Sequence, residues 1–230
     1  MNPVPIVFED DTLLVIEKPS GLLVHPTEGQ EPDTLLEYLE TLEKTPHLIH
    51  RLDQLASGLM VIAKNFEYSE NLKAQFKAHT ITKEYVILVH GKLPRDEGSI
   101  TFSIARSKHS ARMAAVPEGQ GRIARSDYIV SGRTARYTLV TVKTFTGRTH
   151  QIRAHFFALG YPVVGDPLYQ TKRFKDDAPR LFLHAKTLGF RHPVTGEYKE
   201  FHSELPEELA QYLKKKKILF TNSNDLDPKT

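Results

Sequence analysis

Cysteine is missing from all 230 residues, which excludes disulfides, thiol nucleophiles and thiolate metal sites together and fits a reducing compartment. Chemistry in this chain therefore falls to oxygen and nitrogen groups. No run approaches the roughly 20 apolar residues of a membrane helix. The start, Met1-Asn2-Pro3-Val4-Pro5, lacks the basic flank and apolar core of a secretion signal. A cytoplasmic location without a membrane partner is expected. Internal repeats, low-complexity linkers and a glycine-rich phosphate loop are absent too. Eleven histidines, His47, His50, His150, His155 and His184 among them, form no recognised ligand motif such as His-Glu-x-x-His, so no metal is expected.

What is present supports a substantial core. At 40% hydrophobic content the chain reads as a single domain over residues 1–220, followed by a frayed tail over 221–230. The net charge of +3 hides a polarity: residues 1–48 hold two Lys/Arg against ten Asp/Glu, whereas residues 104–153 hold ten against two. Arg106, Arg112, Arg122, Arg125, Arg133, Arg136, Arg148 and Arg153 are interleaved with Tyr128, Tyr137, Phe145 and Phe156. Such a mixture contacts phosphates and offers stacking surfaces. Solvated strand faces are the alternative.

Periodicity and punctuation give the elements. Ile6–Glu9 and Leu13–Ile16 read as strands stopped by Lys18-Pro19-Ser20-Gly21. A helix capped by Asp33 or Thr34 buries Leu35, Leu36, Leu39 and Leu42. Residues 59–63 form a buried strand, and Asn65 precedes a helix carrying Phe66, Leu72 and Phe76. Strands over 81–90, 99–105, 112–116, 123–131 and 135–144 argue for a largely antiparallel sheet. A helix opening at Gly147, with Arg148 on its first turn, carries Ile152, Phe156 and Leu159 and ends near Gly160. A hairpin at His192–Gly196 follows, then a helix from Pro206 whose Lys214–Lys217 suit its C-terminal end. No long apolar stripe is left over, so a monomer is expected.

The most informative stretch is His50-Arg51-Leu52-Asp53 leading into Ser57-Gly58-Leu59-Met60-Val61-Ile62-Ala63. A carboxylate beside an arginine, ahead of a small-residue turn and an apolar strand, is mounted as a reactive acid is mounted. A surface Arg51–Asp53 ion pair is the competing reading. Lys18-Pro19-Ser20-Gly21 with Leu22-Leu23-Val24-His25-Pro26, the Asp53 stretch, Lys83-Glu84-Tyr85 and Gly147-Arg148-Thr149-His150-Gln151-Ile152-Arg153 follow in this order. Together they resemble the RluA-type family of RNA pseudouridine synthases over roughly residues 5–205. Ala56 departs from the family's more frequent threonine. The chain also starts almost directly at the catalytic domain, without a preceding accessory RNA-binding module, so capture is expected from the domain's own basic surface.

The resemblance implies an α/β (α+β) fold: a long, mainly antiparallel bent sheet flanked by helices and loops around a central RNA-binding cleft. It implies an isomerase that breaks the uracil N1–ribose C1′ bond, turns the base and rejoins it through C5. No cofactor is needed. Asp53 is then the essential carboxylate, acting by attack at C1′, addition at C6 or removal of the C2′ proton. Arg148 is its cation, with a phosphate contact as the alternative, and Tyr85 stacks on the uracil. Ile152 is the opposite apolar wall, with plain helix packing as its alternative. Arg51 enters the vacated stack or holds a phosphate, while Arg106 and Arg112 supply backbone affinity. The implied partner is RNA, transfer or large-subunit ribosomal, and not DNA. Two rivals remain: a non-catalytic RNA-binding protein on the same fold, and a nucleoside glycosidase, which typically wants a second carboxylate or an activated water.

Overall fold

The computed structural model describes residues 3–26, 34–42, 45–107, 112–174 and 176–220. Asp33 and the 221–230 segment lie outside these residues. The chain forms two compact units, Met1–Lys83 with Ala185–Ser203, and Glu84–His184 with Glu204–Thr230. Both are mixed α/β with mainly antiparallel strands, as the sequence leads one to expect.

In the first unit β1 (Ile6–Glu9), β2 (Leu13–Lys18), β3 (His47–Leu48) and β4 (Ser57–Ala63) precede β11 (Leu183–Arg191) and β12 (Tyr198–His202). The order is β1-β2-β4-β11, with β3 beside β4 and β12 beside β11. Every residue of β4 is buried, which its unbroken apolar run requires. Register sets Leu13 opposite Ala63 and Val15 opposite Val61. These residues join Leu59, Leu188 and Phe190 in a core closed by Leu72 of α2 (Phe66–Lys77). The helix α1 (Leu35–Leu42) starts with a capping box: Glu37 accepts the Thr34 N–H at 2.8 Å. Leu35 and Leu39 are fully buried while Leu42 is exposed, so the α1 stripe is narrower than four leucines. Asn65 Oδ1 caps α2 by accepting the Tyr68 N–H at 2.9 Å. Phe66, however, is 65% exposed. Six residues separate it from Leu72, which turns it away from the Ser69–Leu72–Phe76 face.

Two features fix the approach to Asp53. Beyond the β3–β4 pairs, His50 Nε2 accepts the Val61 N–H at 3.1 Å while its ring stacks on Phe76 at 4.8 Å. Burial, reinforced by the Lys83 charge, pushes the His50 pKa down to about 3, so the imidazole is neutral and its proton sits on Nδ1. Gly58 has φ +114°, and a Cβ there would stand 2.2 Å from the Ala185 carbonyl oxygen. Only glycine tolerates both that dihedral and that approach.

The second unit holds β5 (Thr82–His90), β6 (Glu97–Ile100), β7 (Ser103–Arg106), β8 (Met113–Val116), β9 (Ser126–Arg133) and β10 (Tyr137–Thr144), with α3 (Gln151–Ala158) and α4 (Glu207–Lys215). Its sheet runs β5-β10-β9-β6, and β7–β8 is a separate hairpin. The single strand expected over 99–105 is thus two, broken at Thr101-Phe102, where the Phe102 carbonyl bonds His155 Nε2 at 2.9 Å. Leu209, Tyr212 and Leu213 of α4 pack on Val86, Leu88 and Leu139. The helix expected from Gly147 begins only at Gln151, because His150 adopts φ +54° and breaks the helical path. In its place the Gln151 side chain accepts the Arg148 N–H at 3.1 Å and the Thr146 hydroxyl at 2.7 Å.

Gly58→Ala should cost about 3 kcal/mol or more, since a strained dihedral and overpacking each cost about 1–3 kcal/mol; chemical denaturation measures it. His50, kept neutral in the folded chain but protonated when unfolded below its ordinary pKa of 6.5, makes stability fall with pH. Its contribution is complete above that value and declines down to about pH 3, at a slope approaching about 1.4 kcal/mol per pH unit. His50→Gln, which retains an acceptor but takes up no proton, should show a flatter dependence of denaturation midpoint on pH over this window.

Candidate active site

Asp53 sits half-buried between buried Leu52 and buried Ala56, in a turn where its carbonyl accepts the Ala56 N–H at 3.1 Å. The residues after it are stapled to the end of β2. Lys18 is fully buried, and its Nζ donates to the carbonyls of Pro19 at 2.8 Å, Leu22 at 2.8 Å and Gln54 at 3.0 Å. An ammonium has three N–H donors, and all three find oxygens, which is what lets the charge remain inside. Ser20 Oγ donates to the Leu55 carbonyl at 2.7 Å, the Gly21 N–H to Gln54 O at 2.8 Å, and Gln54 Nε2 back to Gly21 O at 3.1 Å. Lys18-Pro19-Ser20-Gly21 is therefore the clamp that fixes the backbone of the Asp53 turn. This role was missed in the sequence. Its signal was there, however: a lysine ending an apolar, buried strand must be internally bonded.

Arg51 is exposed. Its charge bears on His25, whose pKa burial and Arg51 together lower. The Arg51 guanidinium is thus exposed to a ligand.

Asp53 and Arg51 belong to the first unit; Tyr85, Arg106, Arg112, Arg148 and Ile152 belong to the second. Tyr85 lies half-buried on β5 opposite Val142 of β10. Arg148 stands in the turn ahead of α3, half-buried, its Nε donating to the Ile123 carbonyl at 3.0 Å. Burial and the neighbouring Arg122 both lower its pKa, yet a guanidinium remains charged. Ile152 is buried in α3.

The basic segment separates into two groups. Arg153 is buried in a bidentate pair with Asp166, 2.7 and 2.9 Å. Arg125 forks onto Asp127 and covers the Phe145 ring at 4.6 Å, and Arg133 binds Asp96. Arg112 lies over the Phe157 ring at 5.0 Å, half-buried. Arg153 is thus matched inside the fold, and Arg125 and Arg133 have carboxylate partners nearer the surface. Arg106, Arg122 and Arg136 are exposed and have no ion-pair partner among the described residues, and such cations add to a field that draws in a polyanion.

On the first unit, a half-buried carboxylate on a clamped turn fits proton or nucleophilic chemistry; on the second, a strand tyrosine and a pair of neighbouring arginines each suit an anionic or aromatic ligand. Residues 12–158 match the RNA pseudouridylate synthase family. An uncharacterized RNA pseudouridine synthase of Bacillus subtilis (strain 168) is 38% identical over 217 residues, covering 90% of this chain and 71% of that protein. The ribosomal large subunit pseudouridine synthase D of Nitrosomonas europaea is 39% identical over 225 residues, covering 92% of this chain and 64% of its own length. The solved structure of human RNA pseudouridylate synthase domain containing 1 matches with a TM-score of 0.74 and 28% identity, over 90% of this chain and 87% of that one. The RNA pseudouridine synthase family, a family of isomerases, is the one to which this chain belongs.

Proposed function

We propose that the chain converts uridine to pseudouridine in structured RNA, with Asp53 as the essential carboxylate and large-subunit ribosomal RNA as the substrate. The name of the Nitrosomonas relative supports that RNA class over transfer RNA. The observation that carries the role of Asp53 is its mounting: a half-buried carboxylate on a turn held by a buried lysine and by Ser20. In the reaction the N1–C1′ bond breaks and a C1′–C5 bond forms, C5 loses its proton to solvent and N1 gains one, so the product is an isomer. Of the three roles open to the acid we assign removal of the C2′ proton, by the family resemblance. The uridine leaves its stack to reach Asp53, at a cost of a few kcal/mol that stacking on Tyr85 at roughly 1–3 kcal/mol helps to offset.

A specific observation favours a second reading for Arg148. A carboxylate partner would hold its direction, but the Arg122 guanidinium beside it makes a two-cation site suited to a phosphate.

Asp53→Asn should lower tritium release from RNA labelled at uridine C5 by about a thousandfold or more, with RNA affinity within about twofold by fluorescence anisotropy. Turnover near the wild-type rate would remove Asp53 from its role. Free uracil in place of retained pseudouridine would show a glycosidase, and neither product a binder. For Arg148, a fall in kcat alone in Arg148→Lys supports the carboxylate partnership. A raised KM in both Arg148→Lys and Arg122→Gln supports the phosphate.

A further inference from the structure

Within the second unit a cavity of about 680 Å³ opens at the C-terminal end of β5, lined by His90, Lys92, Arg136, Tyr137, Tyr161 and Phe174 among others. Tyr85 and His90 are five residues apart on one strand, a span of about 17 Å at the usual rise, so the cavity is separate from the place assigned to the target base. Its volume falls in the range of about 300–1,000 Å³ typical of small-molecule sites.

The lining is built. His90 is buried, its Nε2 2.8 Å from Asp176 Oδ2 and its ring stacked on Phe174 at 4.8 Å and 15°. Asp176 is held in turn by the Gly165 and Ala178 N–H groups at 3.1 and 3.0 Å, so the Phe174 wall is fixed from behind. Tyr137 lies 5.6 Å from His90. Gly91 has φ +88°, and a Cβ there would touch the Tyr161 ring at 3.1 Å; the glycine lets that ring sit where it does. Three cations line this aromatic enclosure, Lys92, Arg136 and Arg173. All three are exposed, and among the described residues none has an ion-pair partner. Arg173 lies over the Phe174 ring at 5.2 Å. Arg125, Arg133, Arg153 and Arg180 of this unit are matched by carboxylates; beside the cavity, Asp176 is taken up by His90 and two backbone N–H groups and Asp177 by Lys215 and Lys216.

Unmatched cations select an anion, and aromatic faces select a flat heterocycle. A nucleotide has both. We propose that this cavity holds a nucleotide of the RNA other than the target uridine, its base against the Tyr161 and Phe174 walls and its phosphate on Lys92 and Arg136. This assignment rests on the RNA-modifying reading for its source of ligand, since the same chemistry is present in a free mononucleotide.

The test measures anisotropy of a fluorescein-labelled ten-residue oligouridylate, and calorimetric binding of uridine 5′-monophosphate, with the full chain. The variants are Lys92→Gln/Arg136→Gln and, separately, Tyr161→Leu, which removes a ring without changing charge; circular dichroism verifies that each is folded. We expect Tyr161→Leu to weaken the oligonucleotide about fivefold or more, and the double variant to weaken it and reduce the salt dependence of binding. Weakening for the oligonucleotide alone assigns an RNA strand. Weakening for both ligands assigns a mononucleotide site and overturns the strand. Affinities within twofold of wild type for folded Tyr161→Leu overturn the pocket. If wild type forms no pseudouridine yet Tyr161→Leu loses oligonucleotide affinity, the catalytic reading fails and the pocket stands; if Asp53→Asn abolishes turnover while Tyr161→Leu binds normally, the reverse holds.

Discussion

The buried ammonium of Lys18 and the three carbonyls around it are the interaction on which the reactive turn depends. A charge taken out of water is costly unless every donor is satisfied. The three carbonyls are therefore tied to one another in space through one nitrogen. Because one of them belongs to Gln54, the residue after Asp53, the requirement to satisfy the lysine becomes a requirement on the backbone of the acid. Ser20 and Gly21 add bonds in the same direction. The clamp acts through backbone carbonyls and not through the carboxylate group itself.

Electrostatics in the second unit follow a similar division between holding and reaching. Arg153 and Asp166 neutralise each other where neither sees solvent, and Arg125 with Asp127 does so nearer the surface. What remains positive is a smaller set than the composition suggests, with Arg106, Arg122 and Arg136 among it. An arginine-rich segment is thus partly scaffold, and its affinity for a polyanion comes from those members that lack an internal carboxylate.

Much of this was legible in the residues. Thr34 and Glu37 are three apart and form the cap that spacing implies, Asn65 starts α2, and the unbroken run in β4 means burial on both faces. The Asp53 motif stood out because a small-residue turn and an apolar strand follow it. What was not legible depends on side chains that replace backbone bonds. Gln151 takes the Arg148 N–H and delays α3 by a turn, and no periodicity argument sees an amide doing so. The helix after Asn65 does carry Phe66, Leu72 and Phe76, but that Phe66 faces solvent is set by its angle on the helix and not by its apolar character. Lys18 was quoted as part of a motif without a role, since its three acceptors come from residues that only folding brings together.

Gly58 and Ala185 meet in adjoining strands of the first unit, although the whole of β5 to β10 and α3 is translated between them. A nascent chain emerging from the ribosome therefore carries β4 with one flank covered only by β3 and His50 until β11 is made. The entropy of closing so long a loop grows only slowly with its length, so the delay is one of synthesis and search more than of final stability. During that interval part of an apolar strand edge is open, and such edges are templates for pairing with another chain.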